Sequence, residues 1–297
     1  MSLFLKKTGF ILLTFIGISS AFSFLSLWSL RQSSFYKPSF LVNSIEEKSF
    51  HYVIIGASTG LTTLNTKIID SVLKTTGLNL AMDDTALSSQ YLMLQHFLAQ
   101  GKTTKFCILA PSIKDYDVKE NTLSGNDYRF LPYVNTIYVS DYYKQFSCQP
   151  GRLLNNSKWL PTLGVSYYNT EIFYPSLLAI LKPASRNRFD DKGNYGYPIK
   201  INDDKPITEF KTLSIALKND YIKKIRDLCE LNNIKLICYF SPINRKKIKI
   251  DSKDYKIINH SNIFKNESYF YDDIHVNYKG RKISSEYFAN DFKALLK

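Results

Sequence analysis

The chain has 297 residues, of which 44% are hydrophobic and 14% aromatic. It is therefore long enough for one large α/β domain with a packed core and too apolar to be disordered throughout. The formal net charge is +13, but the lysines are spread along the chain and the densest basic run, residues 244–249, is short. A nucleic-acid-binding protein would concentrate them in one stripe, so we expect no nucleic-acid partner; an anionic membrane or an acidic glycan fits the charge better.

The N-terminal region contains 23 residues without a charge, residues 8–30. Such a stretch is long enough to cross a bilayer as a helix, and Lys6 and Lys7 before it favour a cytoplasmic N-terminus. A cleaved signal peptide with a small-x-small site at residues 21–23 is the alternative, but the length favours an anchor. Either way, the rest of the chain is exported. The predicted organisation is a cytoplasmic tail (1–7), a transmembrane anchor (8–30), a linker (31–48) and one domain (49–297).

The domain begins with an alternating pattern of strands and helices. Apolar runs at residues 51–55, 78–82 and 106–110 predict buried strands, and the periodicity of residues 61–73 and 88–99 predicts helices between them. This order is typical of a parallel sheet covered on both faces. Catalytic residues in such sheets collect where the strands end.

The aromatic-rich residues 116–205 interrupt the alternation of strands and helices, and we expect this insertion to contain helices and to form a lid over the sheet edge. The alternation resumes after the insertion. An amphipathic helix is predicted for residues 213–232, a strand for 234–240 and a final helix for 284–296. The four cysteines show neither a C-x-x-C pair nor metal-ligand spacing. We therefore predict no metal site, no cofactor and no disulfide framework.

Two short motifs carry the candidate chemistry. Ser58 lies on a Gly-flanked turn between the first strand and a helix N-terminus, which exposes its hydroxyl beside free backbone N–H groups. Asp272 precedes His275 by three residues, close enough to orient the imidazole as a general base. Either motif alone also occurs as a plain connection or a helix cap, and Asp273 is a rival for the orienting carboxylate. Together, at the two ends of an α/β pattern, they predict a Ser58–His275–Asp272 triad.

In this chain the candidate nucleophile comes first and the Asp-x-x-His pair comes last. Proteins of the SGNH, or GDSL-like, hydrolase superfamily have the same order, and residues 49–297 resemble them. Residues 54–59 look like its nucleophile block, and Asp272-x-x-His275 followed by Asn277 and Gly280 looks like its last block. The resemblance implies a flavodoxin-like three-layer α/β/α sandwich without a cofactor. With the N-terminal anchor, it points to the exported bacterial branch acting in cell-surface glycan acetylation and teichoic-acid alanylation.

The two middle blocks of that family, a Gly after a short strand and Gly-x-Asn-Asp, donate hydrogen bonds to the oxyanion. This chain departs from both: Asp84 stands near the Gly position and Lys114 near the Asn. The backbone N–H of Asp84 or the side chain of Lys114 or Asn79 could replace them, or the oxyanion hole is defective. The remaining candidates for the oxyanion or substrate are Thr59 and Ser241, the latter at the end of the predicted strand 234–240.

The resemblance implies an ester hydrolase or O-acyltransferase that forms an acyl-serine on an acylated cell-envelope polysaccharide. Water as the second nucleophile makes it an esterase, and a sugar hydroxyl makes it a transferase. The expected location is the bacterial cytoplasmic membrane, single-pass, with the domain on the periplasmic side. The expected partners are the membrane, a surface glycan and a membrane acyl-donor protein. The alternative is a catalytically inactive SGNH-like domain that binds glycan or scaffolds an acyltransferase complex.

Overall fold

A computed structural model describes residues 2–119, 122–200, 204–250, 252 and 254–296. The chain divides into two compact units. Unit 1 contains residues 1–45 and 127–187, and unit 2 contains residues 46–126 and 188–297.

Helices and strands alternate through most of the described chain. The strands are β1 (Ser49–Gly56), β2 (Gly77–Asn79), β3 (Thr103–Ala110), β4 (Lys211–Ile215), β5 (Lys235–Phe240), β6 (Lys246–Ile250) and β7 (Lys256–Asn259). The α-helices are α1 (Ser2–Gln32), α2 (Lys37–Asn43), α3 (Ser58–Thr63), α4 (Thr66–Leu73), α5 (Leu87–Ala99), α6 (Ile137–Lys144), α7 (Gln149–Asn156), α8 (Thr162–Tyr167), α9 (Asn169–Leu181), α10 (Asp220–Leu231) and α11 (Tyr278–Lys293). Three 3₁₀ helices span Ile113–Asp117, Asp127–Tyr133 and Glu267–Tyr269.

Unit 2 is built on a five-stranded parallel sheet in the order β2-β1-β3-β5-β7. Counting only these five strands along the chain, the order is 2-1-3-4-5, which is that of flavodoxin-like folds. The predicted α/β class with a mainly parallel sheet is therefore confirmed. The order reverses between β1 and β3, and ligands in such sheets bind outside the carboxyl ends of the strands at that reversal.

Both faces of the sheet are covered because alternate strand residues point to opposite sides. On one face, Tyr52 and Phe106 pack with Phe292 of α11. On the other face, the side chain of Cys107, the neighbour of Phe106 in β3, contacts Cys229 of α10. Apolar side chains therefore cover both faces of the sheet.

Two predicted boundaries in unit 2 are wrong. Residues 213–215, expected to begin a helix, belong to β4, which pairs with β6 in a separate two-stranded parallel sheet. Helix α10 begins only after Asn219, whose side chain accepts a hydrogen bond from the backbone N–H of Tyr221. The last helix begins at Tyr278, six residues before the predicted start, because Asn277 caps it. Capping side chains therefore set both helix starts.

Unit 1 combines the N-terminal helix with the predicted aromatic insertion. Helix α1 is long and apolar enough to cross a membrane, by its length and composition. Helices α6 to α9 lie within the predicted insertion 116–205 and belong to the same compact unit as α1. The predicted linker 31–48 includes α2, whose Phe40 and Leu41 are fully buried. That the insertion covers the sheet edge stays a prediction.

Candidate active site

The turn after β1 presents Ser58 at the point where the strand order reverses. It requires glycine on both sides of the serine, because a Cβ at Gly56 or at Gly60 would lie 2.1 Å or 2.7 Å from the carbonyl oxygen of Ala110 at the end of β3. The glycines thus let the two strand ends approach closely. Ser58 is the first residue of α3, where backbone N–H groups have no partner within the helix.

The second part of the site is a tight loop before α11. One carboxylate oxygen of Asp272 accepts hydrogen bonds from the backbone N–H groups of Ile274 (3.0 Å) and His275 (2.8 Å). Asn277 fixes the loop at its base: its amide donates to the carbonyls of Ser268 and Phe270, and its carbonyl oxygen caps the first turn of α11. Local backbone bonds therefore orient the carboxylate toward the imidazole.

The structure brings the three predicted residues together. His275 Nε2 lies 2.8 Å from Ser58 Oγ, and His275 Nδ1 lies 2.9 Å from Asp272 Oδ2 and 3.0 Å from Oδ1. The His275 side chain is 12% exposed, whereas that of Asp272 is 41% exposed. The geometry is that of a nucleophile, a base and an orienting carboxylate in hydrogen-bonded sequence.

The position of the proton on His275 follows from its neighbours. Burial alone would raise the pKa of Asp272, but the hydrogen bonds from the His275 ring and from the backbone N–H groups of Ile274 and His275 outweigh it and lower that pKa below its usual value. An ionised carboxylate can only accept, so Nδ1 of the neutral ring carries the hydrogen. Nε2 is then the acceptor, and the Ser58 hydroxyl donates to it.

Helix α11 aligns the two halves of the site. The hydroxyl of Ser285 accepts a hydrogen bond from the backbone N–H of Asn65 (2.9 Å), just after α3, and α11 packs on both α3 and α4. Helix α11, which follows the loop, is therefore packed directly against the helix that begins with Ser58. Asp273, the rival carboxylate, is exposed, and the carboxylate that reaches the ring is that of Asp272.

Two of the predicted oxyanion candidates have side chains committed to backbone groups. The Thr59 hydroxyl donates to the carbonyl of Pro111 (3.0 Å). The Asn79 amide is fully buried and donates to the carbonyls of Gly60 and Leu64, while its oxygen accepts from the Ala81 N–H. These side chains stabilise the turn that contains Ser58, residues 56–60, which we call the nucleophile turn. An oxyanion donor at this turn would be a backbone N–H of the first turn of α3.

The loop containing Asp84 lies beside the end of β1. The Met82 N–H donates to the Gly56 carbonyl (3.0 Å), and the Thr85 hydroxyl also reaches that carbonyl (3.4 Å). Asp84 is exposed and has a φ of 48°, the left-handed region that glycine favours and that aspartate tolerates better than most residues. Asp84 thus occupies a backbone position suited to glycine, next to the nucleophile turn.

The two remaining candidates follow β3 and β5. Lys114 is exposed on the 3₁₀ helix after β3, and within the described chain no hydrogen bond joins it to Ser58. Ser241 is buried directly after β5, and its Oγ has no hydrogen-bond partner among the described residues. The backbone N–H of Asn244, in the same connection, donates to the Asp273 carbonyl (3.1 Å). The Ser241 connection therefore abuts the Asp272–His275 loop, although Ser241 itself is not bonded to the triad.

An aromatic pair beside the base is a feature that the sequence patterns did not reveal. The Tyr197 ring lies 5.1 Å from the His275 ring, and it stacks on Tyr271 with centroids 4.2 Å apart. The backbone N–H of Tyr278 donates to the Tyr197 carbonyl, which pins this segment to the start of α11. The Lys200 ammonium covers the ring of Tyr271, 3.9 Å from its centroid. Tyr197 thus supports one side of His275, from a position 78 residues before it in the chain.

Neither a protein-family model nor a curated protein sequence matches this chain.

Proposed function

We propose that this protein is a membrane-anchored serine esterase or O-acyltransferase of the SGNH type. Its substrate would be an acyl ester, acetyl foremost, of a cell-envelope polysaccharide. The observation that carries the proposal is the hydrogen-bonded series Ser58–His275–Asp272. Ser58 follows the carboxyl end of β1, where the order of the strands reverses. Serine, histidine and carboxylate in this arrangement serve acyl transfer on several unrelated folds.

The reaction follows from the positions of the atoms. His275 Nε2 takes the proton of the Ser58 hydroxyl as Oγ attacks the ester carbonyl, and Asp272 stabilises the imidazolium through Nδ1. Collapse of the tetrahedral intermediate breaks the bond to the alcohol, which receives the proton from His275 and leaves an acyl-serine. Water or a second hydroxyl then repeats the attack, with His275 again acting as base.

Two features favour the SGNH type over another serine hydrolase. The serine comes first and the Asp-x-x-His pair last along the chain, with a parallel sheet in between. In addition, Asp84, at the place of the family's second-block glycine, has the left-handed backbone conformation that a glycine would adopt. The N–H groups of Thr59 and of the Asp84 loop are the proposed oxyanion donors, in place of side chains.

The location in the cell rests on α1. Its 23 uncharged residues follow Lys6 and Lys7, so the tail before them remains cytoplasmic and unit 2 acts on the periplasmic side of the bacterial cytoplasmic membrane. Polysaccharide precursors and a membrane protein that supplies the acyl group would meet the site there. Transfer to a sugar hydroxyl, in place of hydrolysis, requires that water be kept from the acyl-serine.

One observation favours the alternative of an inactive glycan-binding or scaffolding domain. The side chains of Thr59 and Asn79, which could have stabilised an oxyanion, are both bonded to backbone carbonyls. Loss of one oxyanion donor costs about 10²–10³ in rate. A domain that also lacked backbone N–H groups directed at the oxyanion near Ser58 would keep the triad but would not catalyse the reaction.

Covalent labelling distinguishes the two proposals. We expect the purified full chain to react with a fluorophosphonate at a single serine, to hydrolyse p-nitrophenyl acetate, and to lose both activities in Ser58→Ala and His275→Ala. Ser71→Ala, an exposed serine on α4, is the matched control and should label like the unmodified protein. Labelling that persists in Ser58→Ala would refute the assigned nucleophile, and a correctly folded protein that neither labels nor hydrolyses would favour the inactive domain.

A further inference from the structure

Helix α9 in unit 1 has an apolar face turned away from its own core. Its outward residues are separated by one, three or four positions, the spacing of one side of a helix, and are between 44% and 77% exposed: Phe173, Tyr174, Leu177, Ile180 and Leu181. The residues that face inward are also mostly apolar or small: Ile172, Pro175, Ser176 and Ala179. A helix that is apolar on both sides is not suited to contact with water.

The inward face of α9 packs on the C-terminal part of α1. The Ser29 hydroxyl donates to the carbonyl of Ser176 (3.2 Å), near the middle of α9. Both ends of α9 are bonded to the segment just after α1: the Tyr36 hydroxyl donates to the Glu171 carbonyl, and the Ser34 N–H donates to the Pro183 carbonyl (2.8 Å). Helix α9 therefore runs across the end of α1, not along its length.

The position of this crossing relative to a bilayer follows from the charges on α1. A hydrocarbon core of about 30 Å takes about 20 helical residues. If the membrane-spanning part of α1 begins just after Lys7, about 20 residues bring it to Leu27 or Trp28. Helix α9 crosses α1 at Ser29, less than one helical turn further on. Helix α8 lies deeper, since the hydroxyl of Thr162 is 3.4 Å from that of Ser20. Helix α9 is thus at the level where acyl chains meet headgroups.

The composition around α9 fits the same level. Residues 159–181 contain one charge, Glu171, and lie between Lys158 and Lys182, with Arg186 shortly after. Basic residues beside an apolar helix are placed to contact lipid phosphates. Trp28 and Trp159 are 53% and 81% exposed, and tryptophan is enriched at membrane–water interfaces. The buried α1 side of this junction is rich in serine, and small residues allow close packing of helices within membranes.

We propose that α9 is an interfacial membrane helix, which inserts the face Phe173, Tyr174, Leu177, Ile180 and Leu181 into the lipid on the side where α1 ends. The occupant of the face is the bilayer itself, because the exposed apolar surface of α1 continues into that of α9. Unit 1 is then held at the surface by two elements at an angle, which restricts its tilt more than one spanning helix would. This inference rests on the proposed membrane anchoring, but not on the esterase activity.

Depth-dependent quenching tests the proposal in the full chain. Cys148 is exposed and the other three cysteines are buried, so a Cys148→Ser background allows single labelling with the environment-sensitive fluorophore NBD at Leu177→Cys or Ile180→Cys. Leu231→Cys is the control, an 81% exposed leucine on the charged helix α10, and Ile16→Cys reports on the anchor. Each protein is reconstituted into vesicles of phosphatidylcholine and phosphatidylglycerol that carry a spin label at a shallow or a deep acyl position.

We expect blue-shifted emission at positions 177 and 180, with stronger quenching by the shallow label than by the deep one. Position 16 should be quenched mainly by the deep label, and position 231 only by aqueous iodide. Quenching of position 177 by iodide, with position 16 still quenched by lipid, would overturn the interfacial helix and leave the anchor intact. A probe at 177 that neither lipid label nor iodide reaches would also overturn it, since a protein partner or a second copy would then cover the face. No quenching at position 16 would remove the anchor, and the proposal with it.

Discussion

Replacing Asp272 with asparagine keeps the size of the side chain but removes the carboxylate that orients the His275 ring. The asparagine side chain retains one oxygen for the two backbone N–H groups of Ile274 and His275, so the loop keeps its shape. Its amide nitrogen then points to His275 Nδ1 as a donor, and the ring can meet it only with an unprotonated Nδ1. In that tautomer, Nε2 carries the hydrogen and cannot accept the proton of Ser58.

The size of the effect follows from this exchange of tautomers. Loss of the carboxylate from a triad of intact geometry lowers kcat about 10⁴-fold, which corresponds to about 5 kcal/mol of transition-state stabilisation. The Asp272 side chain is 41% exposed, so water can replace part of its interaction with the ring. We therefore expect a loss of about 10³–10⁴ in kcat for Asp272→Asn, with KM nearly unchanged.

The assay is hydrolysis of p-nitrophenyl acetate followed across pH, with thermal unfolding as a check of the fold. The matched control is Asp273→Asn, the adjacent carboxylate, which is exposed and uses its backbone carbonyl, not its side chain, to accept from Asn244. It should retain activity within about twofold, because the described hydrogen bonds of the His275 ring go to Asp272 and Ser58 and not to the Asp273 side chain. Equal losses in the two variants, or full activity in Asp272→Asn, would refute the assigned orientation of His275.

Two further predictions concern residues around the triad. Tyr197→Ala should lower kcat about tenfold because the ring beside His275 is lost, whereas Tyr197→Phe should keep nearly full activity; equal losses in both would indicate a role for the hydroxyl instead of the ring. Burial raises the pKa of the Asp115 carboxyl to about 6. Its charged form is therefore destabilising above that pH, and below about pH 3 the carboxyl is neutral in both states. Asp115→Asn should accordingly raise the unfolding free energy by about 1–3 kcal/mol near pH 8 and by almost nothing near pH 3, in chemical denaturation; a gain independent of pH would contradict this cause.

The central sheet and the proximity of Ser58 to the Asp272–His275 pair could be predicted because their signals are local. Strands β1, β3 and β5 are continuous apolar runs, as buried parallel strands must be. Ser58 and the Asp272–His275 pair are each specified within a few residues of their turns. Their proximity then required only that the carboxyl ends of parallel strands meet at one sheet edge.

The parts that could not be predicted depend on side chains with weak local patterns. Strand β4 is mostly exposed, so its alternation resembles the polar start of an amphipathic helix. The start of α11 could have been located from Asn277, a preferred capping residue, but the hydrophobic pattern alone placed it later. Tyr197 carries no motif, and its contact with His275 exists only after residues far apart in the chain have folded together. Whether backbone groups complete the oxyanion site depends on geometry that no residue type specifies.

The packing of α11 determines at which point in synthesis Ser58 and His275 can come together. The serine is made early and its base 217 positions later, and the two are aligned by Ser285 and the packing of α11 on α3 and α4. A nascent chain that contains only the first strands therefore has Ser58 without the imidazole to which its hydroxyl donates. The hydrogen bond between Ser58 and His275 can form only after α11 has packed on α3 and α4, when nearly the whole chain has been made.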